Sequence, residues 1–480
     1  MSNVGTTRSS ARAAVAAVVA LLLTMFGITA VVLAPSASAA VGDLTWASCI
    51  SNADLAGCTT SPVASMNGTL SVDVSPDGKN VYLASQNSGT VTMFKRNATT
   101  GAVTFDSCIS NLALAGCTTA ANSSLGGART PIVSPDGKNV YIAAGAADAV
   151  TVFTRDTSTG ALTYDSCISN AALGTCAVAP SASLDGPTDV RVSPDGKNVY
   201  LTSENSRAVT VLNRAAASGA LTFADCFSNS ALSGCTTLPN ATLNKANWVA
   251  VSPDGKSVYV TGWATSNAVT TFDRNTTTGA LSYVSCISNA ALGTCVVATH
   301  ASLSAPVGVV VSPDGKNVYV AGQDTNSAVT VFNRATNGAL TYASCISNLA
   351  LAGCTTAGNA SLENSYGIVV SPDGRSVLVA SWGSKAVTTL SRNTATGALT
   401  YSSCVSNGAL GTCTVAPAAT LVNPDGIAVS PDGANAYVAS LNANALTVFA
   451  RVVPAPTVSS VSPSSGPVTG GNTVTITGSG

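Results

Sequence analysis

Two short signatures return along this chain at almost constant intervals, and that regularity limits the fold more than any local propensity. The first is a cysteine pair. Its leading members are Cys49, Cys108, Cys167, Cys226, Cys286, Cys345 and Cys404, separated by 59, 59, 59, 60, 59 and 59 residues, and each has a second cysteine nine positions on. The second is Ser-Pro-Asp-Gly, beginning at Ser75, Ser134, Ser193, Ser252, Ser312, Ser371 and Ser430 with the same spacings. A fixed period of this length is the mark of a repeat architecture, in which each unit buries its apolar face only against its neighbours.

One repeat holds four runs with the two-residue alternation of strands. In the first repeat they are "TLSVDV", "KNVYLAS", "TVTMFKR" and "AVTFDSC", with Pro76-Asp77-Gly78 and Gly101 as turns. Four antiparallel strands per repeat, with no helical period, predict an all-β, seven-bladed propeller of four-stranded antiparallel blades. The chain begins this pattern with a fourth strand, "DLTWASC", and leaves it with a third, "ALTVFAR". The N-terminal segment is therefore expected to complete the last blade, closing the ring and leaving no open strand edge to template aggregation. A ring made by one chain is expected to be a monomer.

All 14 cysteines fall in the seven pairs. Residues 1–40 read as an export signal. Arg8 and Arg12 precede the apolar run Ala13–Ala34, and Ala37 and Ala39 suit a signal peptidase. An uncleaved anchor is the alternative, since the run is long enough to span a bilayer. An even cysteine count in an exported chain implies disulfides. The expected pairs are Cys49–Cys58, Cys108–Cys117, Cys167–Cys176, Cys226–Cys235, Cys286–Cys295, Cys345–Cys354 and Cys404–Cys413. Pairing between neighbouring blades would satisfy the same count. Metal or redox chemistry favours the tighter C-x-x-C spacing, so no metal site and no cofactor are expected. The expected location is secreted or cell-surface.

Charge excludes one class of partner. Without Arg8 and Arg12 the chain carries 19 basic and 22 acidic residues, with no Lys/Arg cluster to neutralise phosphates. Nucleic acid is not an expected partner. A small molecule, a glycan or an extracellular protein is, and a membrane only through an uncleaved leader.

The repeats supply an internal comparison. Every repeat has a turn aspartate, Asp77 in the first, and an arginine ending its third strand, Arg96 in the first. These predict a structural ion pair within each blade; a sevenfold ion-binding ring is the sharper alternative, although the turn lacks the spaced oxygen ligands of a calcium loop. At the opposite ends of the strands the repeats diverge. Arg129, Asp189, Trp248, Tyr366 and Asp425 stand at the start of the first strands. Glu204, Arg207, Trp263, Asp324, Trp382 and Lys385 stand in the loops after the second. These eleven are the candidate ligand-binding residues, because binding groups concentrate on loops of a rigid scaffold. His300, the single histidine, lies in a crossover loop, and no nucleophile elbow, zincin or P-loop motif is present.

The segments "SPDGKNVYLAS", "AVTVFNR" and "TTGAL" resemble the lactonase-type, or YVTN-repeat, seven-bladed propellers from about Leu44 to Arg451. The resemblance implies a lactone hydrolase or muconate-cyclase-like activity, or one of the family's surface proteins. No catalytic position of the family maps residue by residue onto this chain. After residue 452 the composition shifts, and "PTVSSVSPSSGPVTGGNTVTITGSG" resembles the opening of an IPT/TIG domain, an immunoglobulin-like sandwich. The expected organisation is a signal at 1–40, the propeller at 41–452 and a partial Ig-like domain at 453–480. Three functions follow: an exported binding module acting through its divergent face, an extracellular lactonase-like enzyme, or an architectural spacer.

Overall fold

The computed structural model describes residues 40–463 except 325–326 and 455–456, together with 473 and 475–479. The export signal lies outside the described residues, apart from Ala40. Among the described residues no helix is long and apolar enough to cross a membrane.

The first blade comprises Thr69–Val74, Asn80–Ser85, Thr90–Arg96, Val103–Ser110 and Thr118–Thr119, paired in that order from the axis outward. Six further sheets repeat this plan. The expected four-stranded blade is thus corrected to five strands. The fifth has only two residues and runs parallel to the fourth, with Ile109 beside Thr118 and Ser110 beside Thr119. A parallel connection normally needs a dozen or more residues. Here the Cys108–Cys117 disulfide, with Cα atoms 4.8 Å apart, holds the two chain segments one strand spacing apart just before they pair. All seven disulfides join the expected partners nine residues apart.

The second strand of every blade is buried along its whole length. The reason is the packing: each sheet is covered on both faces by neighbouring blades. The core is accordingly a set of layers between blades. Tyr82, Val91 and Ile109 of the first blade, for example, pack with Leu125, Val140 and Phe153 of the second.

The ring closes as the sequence requires. Leu44–Ser51 runs antiparallel to Ala445–Arg451, pairing Thr45 with Ala450 and Cys49 with Thr447. The closing layer joins Ile50, Leu446 and Val448 to Val72, Val81 and Phe94.

The repeated Asp and Arg do pair, but from blade to blade, which corrects the expectation of pairs within each blade. Arg155 of the second blade reaches Asp77 of the first at 3.0 Å. Its Nε donates to Tyr82 Oη at 2.7 Å, its Nη2 to Asn80 Oδ1 at 2.6 Å, and its Nη1 to the Gly137 carbonyl of its own turn at 3.0 Å. Tyr82 Oη in turn donates to the Gly160 carbonyl at 2.8 Å. The strand twist carries the arginine tip over the neighbouring turn, so the clamp ties adjacent blades together. Its aspartate is shaped locally. Ser75 Oγ donates to Asp77 Oδ1 at 2.6 Å, the Lys79 amide donates at 3.1 Å, and Gly78 takes the φ of 68° that closes the turn.

The tail contributes two antiparallel strands, Thr457–Ser462 and Thr475–Ser479. Only this pair is described for the segment in which an Ig-like domain is expected.

Candidate functional site

At the mouth of the axis opposite the clamps, the repeat turns sequence variation into geometry. One position, at the start of each first strand, is occupied in order by Leu70, Arg129, Thr188, Asn247, Val307, Tyr366 and Asp425. A second, just after each second strand, is occupied by Gln86, Gly145, Glu204, Trp263, Gln323, Trp382 and Leu441. All but Val307 and Gly145 line one axial pocket, joined by Ser71, Thr130 and Trp248. Gly145 is absent for a reason: a Cβ there would stand 2.8 Å from Arg129 Nε, so the missing side chain gives the guanidinium its path.

Seven of the eleven candidate residues therefore converge: Arg129, Glu204, Trp248, Trp263, Tyr366, Trp382 and Asp425. Four do not. Asp189 is buried behind the mouth, where its carboxylate accepts the Val249 amide at 3.1 Å and lies 3.3 Å from Arg191. Asp324 accepts a hydrogen bond at 2.7 Å from Ser304 Oγ, which lies just before the first strand of the same blade. Arg207 and Lys385 occupy the corner of the loop at φ of 53° and 50°, with exposed side chains. Sequence reasoning missed Gln86, Gln323, Asn247 and Thr188, which are neither charged nor aromatic. Their register with Glu204, Tyr366 and Trp382 was the signal that could have found them.

The polar groups of the mouth form one cluster. Arg129 Nη1 lies 3.8 Å from Glu204 Oε2, and Lys245 Nζ lies 3.9 Å from Glu204 Oε1. Both distances exceed a direct hydrogen bond, so these groups stay open to a ligand atom between them. Burial pushes the Asp425 carboxyl up to about 7; the Arg129 charge and the nearby Trp382 indole N–H lower it only in part. That indole N–H is close to Asp425 without hydrogen-bond geometry, and it and the Trp263 N–H are buried donors with no protein acceptor. Tyr366 stacks on Trp382 with ring centroids 4.1 Å apart and planes 19° apart. Burial, with Asp425 next in order, pushes the Tyr366 hydroxyl above its ordinary range.

Trp248 has a second role. It lines both this mouth and a deeper axial cavity whose walls are mostly Val, Ile and Ala, with Asp73 and Arg191. Arg191 lies 5.7 Å from the Trp248 ring centroid. Asp73 accepts the Val133 amide at 2.8 Å, and burial pushes its carboxyl up to about 6. His300 is remote from both cavities and packs against Tyr342 at 5.3 Å. Among the described residues no group of three or more His, Cys, Asp or Glu side chains is placed to hold a metal ion.

Comparison with known proteins agrees on the architecture. A family profile described as "Lactonase, 7-bladed beta-propeller" matches residues 163–346, under half of the chain. Among solved structures, a candidate 6-phosphogluconolactonase from Bacteroides fragilis NCTC 9343 has a TM-score of 0.53 at 18% identity, covering 77% of this chain and 95% of its own. A second from Bacteroides uniformis ATCC 8492 has a TM-score of 0.51 at 17% identity, over 69% and 82%. Hydrazine synthase of Kuenenia stuttgartiensis has a TM-score of 0.52 at 18% identity, over 82% and 98%. No curated protein matches the sequence. The chain has the lactonase-type seven-bladed propeller fold. Likeness at these identities is one of fold, and a fold hosts many chemistries.

Proposed function

We propose that this is an exported propeller that binds a small, oxygen-rich ring compound, such as a sugar, sugar acid or lactone, in its axial mouth. The observation that carries this reading is the convergence of Arg129, Glu204 and Asp425 beside the stacked Tyr366–Trp382 pair. Aromatic faces suit the apolar faces of a ring, and the unpartnered indole donors with Arg129 suit its oxygens. Seven disulfides and the leader sequence support a location outside the cytoplasm.

The test is a thermal-shift screen of sugars, sugar acids and γ- and δ-lactones on the mature protein. Arg129→Ala and Trp382→Ala are each expected to weaken a hit by about tenfold or more, a loss of about 1.4 kcal/mol. A ligand that binds both variants as it binds the parent would refute the site.

A second reading, lactone hydrolysis, is favoured by the 3.8 Å approach of Arg129 to Glu204. Glu204 would draw a proton from water as its oxygen attacks the lactone carbonyl, and Arg129 would hold the resulting oxyanion. As the oxyanion collapses the ring C–O bond breaks, the leaving alkoxide oxygen takes the proton back from Glu204, and one water has been consumed to give a hydroxy acid. Acid release faster than the spontaneous rate, and lost in Glu204→Gln, separates this reading from binding alone.

A further inference from the structure

The place where the ring closes is a blade turn with its covalent link missing. In the first blade the turn between the third and fourth strands is held by two backbone bonds, Asn97 N–H to the Ala102 carbonyl and Gly101 N–H to the Asn97 carbonyl. The same two bonds recur at the seam between chain ends: Val452 N–H to the Asp43 carbonyl at 2.9 Å, and Gly42 N–H to the Val452 carbonyl at 2.7 Å. Gly42 takes the place of Gly101, and a Cβ on it would lie 1.9 Å from Ser376 Oγ. By this register Ala40 stands where Thr99 stands in the intact turn.

Two differences mark the seam. In the intact turn Asn97 Oδ1 accepts the Thr99 and Thr100 amides, whereas Val452 has no acceptor to offer. And the residue after the turn glycine is alanine in all six intact turns, Ala102, Ala161, Ala220, Ala280, Ala339 and Ala398, but aspartate at the seam. Asp43 Oδ2 accepts the Ala40 N–H at 2.7 Å, and its Oδ1 is held by Ser402 and Ser403 hydroxyls at 2.7 and 2.6 Å. The carboxylate is thus fixed against the nitrogen that follows Ala37-Ser38-Ala39, a signal-peptidase pattern.

We infer that leader removal occurs at the Ala39–Ala40 bond, one residue before the boundary expected at residue 40, and that the new α-ammonium of Ala40 pairs with Asp43, latching the closing strand. Hydrolysis of that peptide bond by a signal peptidase adds one water, leaving a carboxylate on Ala39 and an ammonium on Ala40. An amide donor at Asp43 becomes a charged one, which strengthens the bond. The other charged groups bordering Ala40 are Arg375, which opposes the ammonium, and Arg392, whose Nη2 is engaged with Asp314; Tyr401 also feels the Asp43 charge. The latch rests on the export reading but not on ligand binding, and its failure would leave the mouth untouched.

The experiment uses the exported protein. Intact mass and N-terminal sequencing are expected to give a chain starting at Ala40; a start elsewhere, or a retained leader, overturns the inference. The latch is read by comparing the free and Nα-acetylated Ala40 forms in melting. Acetylation is expected to lower Tm by about 1–2 °C near pH 6.5, as suits an exposed pair. A paired ammonium has its folded pKa raised, so its stabilisation is complete below the ordinary value of about 8 and is lost as pH rises through the folded value. The difference should therefore vanish near pH 10, and be absent at any pH in Asp43→Asn. An acetylation effect that survives either condition overturns the latch. The two-pH comparison needs no variant and stands even if Asp43→Asn folds poorly.

Discussion

The two ends of the propeller axis are made from the same seven repeats but obey opposite rules. At one end each blade repeats the same Arg–Tyr–Asp clamp with few substitutions: Ser257 and Ser376 stand for the usual Asn, and Leu378 for the usual Tyr. At the other end two positions per repeat hold almost every kind of side chain, and they meet in one pocket. The comparison separates scaffold from site without any second sequence. What is invariant around the ring holds blade to blade, and what varies at fixed register shapes a single asymmetric mouth inside a symmetric frame.

The largest test of that division sets two arginines against each other. Arg274 is fully buried, with its Nη2 2.9 Å from Asp195 and its Nε bonded to Tyr200. Arg274→Ala is expected to cost about 3 kcal/mol in urea denaturation, because it strands several buried partners. Arg129→Ala should stay within about 1 kcal/mol of the parent while weakening the ligand response by about tenfold or more. Equal losses would mean that the mouth is scaffold after all.

Acidity should divide the ends in the same way. Partial burial pushes the clamp carboxyl of Asp195 up, but bonds from Ser193 and Arg274 outweigh it and hold it below the ordinary value. Its contribution is present above the unfolded pKa and is lost as pH falls through the folded one. Asp425 is raised to about 7, so its sign is reversed: the folded state is favoured at low pH, and that advantage is lost as pH rises toward 7. Asp425→Asn should therefore stabilise at pH 8 and change little near pH 3.5, while Asp195→Asn should destabilise at pH 8. Denaturation at the two pH values checks both signs.

Smaller effects are expected at the rim and the seam. Cys345→Ser with Cys354→Ser should cost about 2–3 kcal/mol from the lost ten-residue loop constraint, without altering binding at the mouth. A circular permutant that joins Val452 to Ala40 by a short linker, and opens the turn between Asn393 and Ala398, should fold with stability within about 1 kcal/mol of the parent, since the seam already has a turn's hydrogen bonds.

Much of this was legible in the sequence because the repeats annotate one another. The blade count, the strand order and closure by Asp43–Cys49 follow from spacing, whereas the cysteine spacing favoured pairs within a loop but left pairing between neighbouring blades open until the structure joined partners nine residues apart. The fifth strand was not legible, because two residues such as Thr118–Thr119 are too short to show alternation, and their pairing is with a segment joined to them by a disulfide rather than by a hairpin turn. The direction of the clamp was hidden too. Arg155 lies 78 residues from its partner Asp77 but far closer in sequence to Asp136, and only the strand twist brings it to the former. In the mouth, side-chain type pointed to Trp382 and Asp425 but also to Lys385, whose position at φ 50° is a backbone corner. Register, not chemistry alone, decides which residues face the axis.

Trp248 borders both the mouth and the cavity beneath it, and packs on layers formed by the fourth, fifth and sixth blades. One indole thus spans two compartments of unlike character, so a change at Trp248 should be felt both by the polar groups around Arg129 and by the apolar walls below.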